Sequence, residues 1–233
     1  AKSLLEGGFL EGISEVIFAD PTGLGIATAQ KGAVWMKAEV LGRRVHVLEA
    51  EKGVDALYWL LEFVRRIKGL LKEARPHSLL GGSTVYLTGV FTSEKEICIL
   101  PESACGNIDI RLIPSVDLAV FIQNIDRLIA AMTKEVPGLS INYSILNARP
   151  PVGVSADSPL VRRIESICRR ERIENARSGL GYFSDSSVVV KELGVPFVIL
   201  GPGERVFDDK MDEYVYMDKV CAAQKIYEKY MLE

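Results

Sequence analysis

Residues 108–132 read IDIRLIPSVDLAVFIQNIDRLIAAM. The opening six residues have the apolar pattern of a strand, and Pro114-Ser115 is read as opening a helix. Leu118, Phe121, Ile122, Ile125, Leu128, Ile129 and Met132 then share one stripe at helical spacing. Pro137-Gly138 ends that helix, and residues 139–145 alternate as a further strand. Upstream, residues 33–41 are strand-like. Gly53 leads into a helix over 54–71, apolar at 57, 60, 61, 64, 67 and 71; residues 83–88 alternate; and 97–100 is another strand candidate. The order β-α-β-β-α-β over 32–147 predicts a ferredoxin-like domain, four antiparallel strands with two helices on one face.

The flanking sequence has an α/β texture. Residues 15–19 form a short apolar run ending in Asp20-Pro21-Thr22-Gly23, as a strand buried in a parallel sheet does. Ser158-Pro159 opens a helix with Leu160, Ile164, Ile167 and Cys168 on its buried side. Residues 184–193 are a shorter helix closed by Gly194, and 196–200 a buried strand followed by the turn Gly201-Pro202-Gly203. Asp218 is placed to cap a last helix. The fold class is therefore α/β, a partial outer domain of residues 1–31 and 148–233 interrupted by the domain at 32–147. Only two strands are plain in the outer domain, where a doubly wound sheet has roughly four to six. This reading puts the missing strands ahead of residue 1, where residues 1–6 look like the tail of a helix in a longer protein.

Composition narrows the function. The chain has 233 residues, 48% apolar and 25% charged, which is globular and not disordered. With 28 Lys+Arg against 31 Asp+Glu and no basic block, nucleic acid is not an expected partner. The apolar runs are too short to span a membrane, and no leader peptide opens the chain. Cys98, Cys105, Cys168 and Cys221 lack metal-site or disulfide spacing, so buried thiols of a reduced, cytoplasmic protein are expected.

Chemistry concentrates in a few places. Asp20 follows a buried strand, at the edge where α/β sheets bind ligands, and Asp208 and Asp209 follow the other strand; such carboxylates can hold a divalent cation or stand solvated. Ser184 and Asp185 open a helix, where they can cap it or its free N–H groups can hold a carboxylate. Gly203 lets a ligand approach the backbone, or merely turns the chain. Asp212-Glu213 is an acidic pair on a loop. His46 can donate to an oxyanion or be structural. Asp109 and Arg111 point to one side of a strand, to pair or to meet an anion.

The ordered set Ala19-Asp20-Pro21-Thr22-Gly23-Leu24, Lys31-Gly32, Gly42-Arg43-Arg44-Val45-His46, Gly53-Val54-Asp55-Ala56-Leu57, Leu100-Pro101-Glu102-Ser103, Asp109-Ile110-Arg111-Leu112-Ile113-Pro114, Ser184-Asp185, Gly194-Val195-Pro196, Gly201-Pro202-Gly203 and Asp212-Glu213-Tyr214-Val215 resembles the two-metal aminoacylase and carboxypeptidase family. That family includes acetylornithine deacetylase, succinyl-diaminopimelate desuccinylase and carboxypeptidase G. The resemblance implies a catalytic domain interrupted by a dimerising lid. It also implies a homodimer and hydrolysis of an N-acyl amino acid or small peptide by water on two metal ions, zinc or cobalt. Carried over by position, Asp20 is a metal ligand, Asp209 takes the place of the last metal histidine, and His46 is the lid histidine that polarises the scissile carbonyl. Asp109 and Arg111 are lid positions near the substrate, and Ser184 and its surroundings form the substrate-carboxylate loop. Asp209 for histidine and Cys98 for a lid asparagine depart from the pattern. The family's other metal ligands and its general-base glutamate belong to sequence ahead of residue 1. Two acids fall short of the roughly five ligands a two-metal cage uses, so a degenerate homologue serving as a dimerisation or ligand-binding module is the alternative.

Overall fold

The computed structural model describes residues 1–204 and 212–233. Along the chain the elements are α1 (Lys2–Glu6), β1 (Val16–Phe18), β2 (Ile26–Gln30), β3 (Gly32–Leu41), β4 (Val45–His46), a 3-10 segment (Val47–Lys52), α2 (Ala56–Leu70), β5 (Thr84–Thr92), β6 (Ile99–Leu100) and β7 (Ser103–Leu112). They continue as α3 (Leu118–Glu135), β8 (Ser140–Arg149), β9 (Val152–Gly153), α4 (Pro159–Arg170), β10 (Arg177–Leu180), α5 (Ser186–Leu193), β11 (Phe197–Ile199) and α6 (Met217–Leu232). Two units result: Ala1–Lys31 with Ser78–Leu80 and Pro150–Glu233, and Gly32–His77 with Gly81–Arg149.

The second unit is a four-stranded antiparallel sheet in the order β5-β7-β3-β8 with α2 and α3 on one face, the ferredoxin-like arrangement. Each helix begins where the sequence supplies a cap. Asp55 Oδ1 accepts from the Leu57 and Tyr58 N–H groups at 2.9 and 3.0 Å, and Asp117 Oδ1 from Val120 N–H at 2.9 Å. Leu60, Phe63 and Ile67 of α2 and Phe121, Ile125 and Met132 of α3 are buried against Val34, Met36, Ile108 and Ile110 of the sheet. Each such side chain contributes roughly 1.5–3 kcal/mol by burial. Residues 97–100 are not one of the four strands. Only Ile99 and Leu100 are extended, and they pair with Val45 and His46 in a separate two-stranded ladder. A stretch this short, with Ile97 fully exposed, has no apolar face to bury in the sheet.

Among the described residues the first unit holds five strands where the sequence made two plain: the order is β1-β11-β2-β10, with β9 on β2. β1 runs parallel to β11, β10 parallel to β2, and β11 antiparallel to β2. The strands that periodicity misses have no alternation to see. Ile26–Gln30 is buried along its whole length with two alanines, and Arg177–Leu180 contains Ser and Gly. Leu160, Val161, Ile164, Ile167 and Cys168 of α4 pack with Ala223 and Ile226 of α6 and Val198 of β11. Gly194 ends α5 in the left-handed conformation, φ 64°. The last helix corrects another expectation: its cap is Tyr216, without a side-chain cap bond, and Asp218 lies within the first turn. The thiols also differ from expectation, since only Cys168 is buried, while Cys98 and Cys221 are exposed and Cys105 is intermediate. Among the described residues no helix is long and apolar enough to cross a membrane.

Candidate active site

In the first unit, β1 and β11 end side by side and their loops interlock. Leu24 N–H donates to the Gly201 carbonyl at 2.9 Å, Gly201 N–H to Thr22 Oγ1 at 3.0 Å, and Gly23 N–H to the Gly203 carbonyl at 2.8 Å. Gly201 is required here, because a Cβ on it would lie 2.4 Å from the Asp20 carbonyl oxygen. Gly203 is less constrained, its added Cβ meeting the Pro21 side chain at 3.2 Å. Out of this junction projects Asp20. It is half-buried, and its Oδ2 is buried without a hydrogen-bond partner. Buried polar atoms are nearly always paired, so an idle carboxylate oxygen is an open ligand position.

A second loop reaches the same turn. Tyr182 donates from its hydroxyl to the Pro21 carbonyl at 3.1 Å, tying the segment ahead of α5 to the residue after Asp20. Ser184 follows, and its Oγ accepts from the Ser186 N–H at 3.4 Å. Asp185 is exposed and makes no cap bond, so of the two expected caps only Ser184 acts as one. Ser184 Oγ and Ser186 Oγ both donate to Gln30 Oε1. Neither Tyr182 nor Gln30 was singled out by sequence. A tyrosine in a loop and a glutamine in an unpatterned strand carry no spacing signal.

In the second unit, His46 lies exposed on β4 and its Nδ1 accepts from the Leu48 N–H at 3.3 Å. A neutral imidazole that accepts at Nδ1 carries its proton on Nε2, leaving that nitrogen a donor. Asp109 and Arg111 point the same way from β7 and pair with each other, Nε to Oδ1 at 2.6 Å and a terminal nitrogen to Oδ2 at 2.8 Å. The guanidinium edge is thus engaged by its own strand. Tyr143 donates to Asp126 at 2.6 Å, and burial first, then that carboxylate, pushes its phenol up to about 12. Asp212 and Glu213 are exposed, His77 closes a small bridge with Gly81, and Asp208 and Asp209 fall outside the described residues. Among the described residues no three His, Cys, Asp or Glu side chains gather to hold a metal. Asp20 fits one ligand position, and these residues do not complete a two-ion cage.

The peptidase dimerisation domain family matches residues 28–137, within the second unit and the strand leading to it. A protein from Staphylococcus epidermidis named "Probable succinyl-diaminopimelate desuccinylase" is 23% identical over 254 residues, covering 97% of this chain and 62% of its own length. The acetylornithine deacetylase of Myxococcus xanthus is 23% identical over 230 residues, covering 97% and 59%. The chain is thus similar along nearly its whole length to proteins named succinyl-diaminopimelate desuccinylase and acetylornithine deacetylase. Solved structures agree in fold. A tripeptidase from Staphylococcus aureus superposes with TM-score 0.68 at 12% identity over 94% of this chain and 57% of its own. An aminopeptidase from Bacillus cereus gives 0.68 at 14%, over 91% and 54%. The chain spans about three fifths of the length of the curated relatives named above. The mixed α/β fold read from the sequence, with its ferredoxin-like unit, is the fold these solved structures share.

Proposed function

We propose that this chain supplies part of a metal-dependent amidohydrolase or peptidase that hydrolyses the amide bond of an N-acyl amino acid or small peptide. Residues 1–31 and 148–233 belong to its catalytic domain, and 32–147 are a lid through which two copies form a homodimer. The observation that carries the reading is the idle, buried Asp20 Oδ2 at the carboxyl end of β1, an oxygen with no role in the fold that suits a divalent ion such as zinc or cobalt. Asp209 is the second proposed ligand. The remaining ligands come from outside the described residues.

The chain's own groups have definite tasks in this reading. His46, with its proton on Nε2, donates to the oxyanion that develops on the scissile carbonyl. The loop at Ser184 and Asp185, with Gly203 nearby in sequence to Asp20's partner strand, receives the amino-acid portion of the substrate. Arg111, paired with Asp109, lies on the lid strand β7 near the proposed substrate side. The dimer is supported by the dimerisation-domain match and by β5, an uncharged edge strand with Val90 and Phe91 exposed. An acidic balance argues against nucleic acid, and free thiols suit a cytoplasmic setting. The test is hydrolysis of N-acyl amino acids by the product of the intact reading frame, with zinc or cobalt supplied. Turnover above a metal-free control is expected. A folded dimer without turnover refutes the hydrolase and leaves the binding-module alternative.

A further inference from the structure

Gln30 ends β2 with no exposed surface. Its Oε1 accepts from Ser184 Oγ at 3.2 Å and from Ser186 Oγ, and its Nε2 is buried without a hydrogen-bond partner. An apolar side chain would fill this position without the cost of an idle, buried N–H. What the amide supplies instead is direction. An amide oxygen only accepts, so the Ser186 hydroxyl proton is drawn to it, and the Ser184 proton is drawn inward to it at 3.2 Å or to Ser186 Oγ at 3.3 Å. Ser184 Oγ spends one lone pair on the Ser186 N–H, and its other lone pair is left on a side chain that is partly exposed. Ser187 does not disturb this arrangement, because its Oγ donates to the Ser184 carbonyl at 2.7 Å and so holds the loop backbone.

We propose that Gln30 is a positioning residue that fixes the Ser184 hydroxyl as an acceptor, so that the Ser184 side chain recognises a hydrogen-bond donor on the ligand. Resting on the substrate class proposed above, that donor is the N–H of the acylated amino acid. Ser184 therefore distinguishes secondary amides from tertiary ones, in which that nitrogen carries a methyl group.

N-acetylglycine and N-acetylsarcosine differ by that one N-methyl group. Each is titrated into the full 233-residue chain and followed by two-dimensional amide NMR, which needs no turnover. Wild type is expected to bind N-acetylglycine roughly three- to tenfold more tightly, the share of one hydrogen bond. Gln30→Met, close in size but without an acceptor, is expected to reduce that ratio to about one. Ser184→Ala should do the same, and the double variant should lose nothing beyond Ser184→Ala, a non-additivity that a purely structural role for Gln30 does not produce. A wild-type ratio retained in Gln30→Met overturns the proposal. Should that variant fail to fold, a ratio retained in Ser184→Ala overturns it equally. Equal binding of both compounds by wild type removes the Gln30 inference and leaves the hydrolase reading standing. Binding of neither compound by the 233-residue chain overturns this inference, and the hydrolase reading then rests on its own turnover assay with the intact reading frame.

Discussion

Replacing Gly201 by alanine tests whether the loop after β11 really seats against the end of β1. The new Cβ would stand 2.4 Å from the Asp20 carbonyl oxygen and 2.5 Å from that of Ala19, both backbone atoms, where contacts under 3.0 Å do not occur. The strand ends must separate by at least about 0.6 Å, the difference between 3.0 and 2.4 Å. That movement strains the bonds that hold the junction: Leu24 N–H to Gly201 at 2.9 Å, Gly201 N–H to Thr22 Oγ1 at 3.0 Å and Leu200 N–H to Phe18 at 2.8 Å. Overpacking costs about 1–3 kcal/mol, and a weakened hydrogen bond about 1 kcal/mol. Together they put the loss near 3 kcal/mol, or roughly 6–12 °C in Tm for a chain of this size. The assay is thermal and urea unfolding by far-UV circular dichroism. Gly203→Ala is the control, since its Cβ meets only the Pro21 side chain at 3.2 and 3.3 Å, and it should cost less than about 1 kcal/mol. A Gly201→Ala protein within about 0.5 kcal/mol of wild type, or a Gly203→Ala protein equally damaged, refutes this account of how Asp20 is positioned.

Glu62 accepts from Arg65 and Arg66, and those hydrogen bonds lower its carboxyl to about 2. A folded pKa below the unfolded one gives stability that is present above about pH 4.5 and lost as pH falls toward 2. Glu62→Gln should therefore flatten the acid limb of the stability curve between those values, by no more than about 1 kcal/mol for so superficial a cluster; an unchanged acid limb counts against the pairing. Burial pushes the Cys168 thiol up to about 11. Ellman's reagent should modify Cys98 and Cys221 quickly in the native chain and Cys168 only on unfolding, and rapid native labelling of Cys168, read by mass spectrometry, contradicts the packing of α4. In the proposed hydrolase, His46→Gln should lower kcat by about 10²–10³ with KM nearly unchanged. A loss confined to KM would assign His46 to binding alone.

The lid-like unit was legible because its elements obey simple periods. The stripe from Leu118 to Met132, capped by Asp117, and the stripe of α2, capped by Asp55, could hardly bury their apolar faces except against a shared sheet. The ordered glycines, prolines and acids also carried the resemblance to proteins that match nearly the whole chain. Residues 26–30 and 177–180 were not legible, since strands covered on both faces or built from small residues show no alternation. Cys98 and Cys221 sit in apolar patterns and are nonetheless exposed, because exposure depends on what packs above a residue and not on its neighbours in sequence.

By itself the sequence determined which segments coil into helices and which residue types are at hand for chemistry; these follow from local sterics and from spacing along one chain. Pairings across long separations were decided only by tertiary structure. Tyr182 reaches Pro21, Gln30 gathers two serine hydroxyls, and Asp20 keeps an oxygen without a donor because distant backbone segments meet there. Hydrogen bonding is satisfied or denied by the three-dimensional neighbourhood, and no periodicity along the chain encodes it.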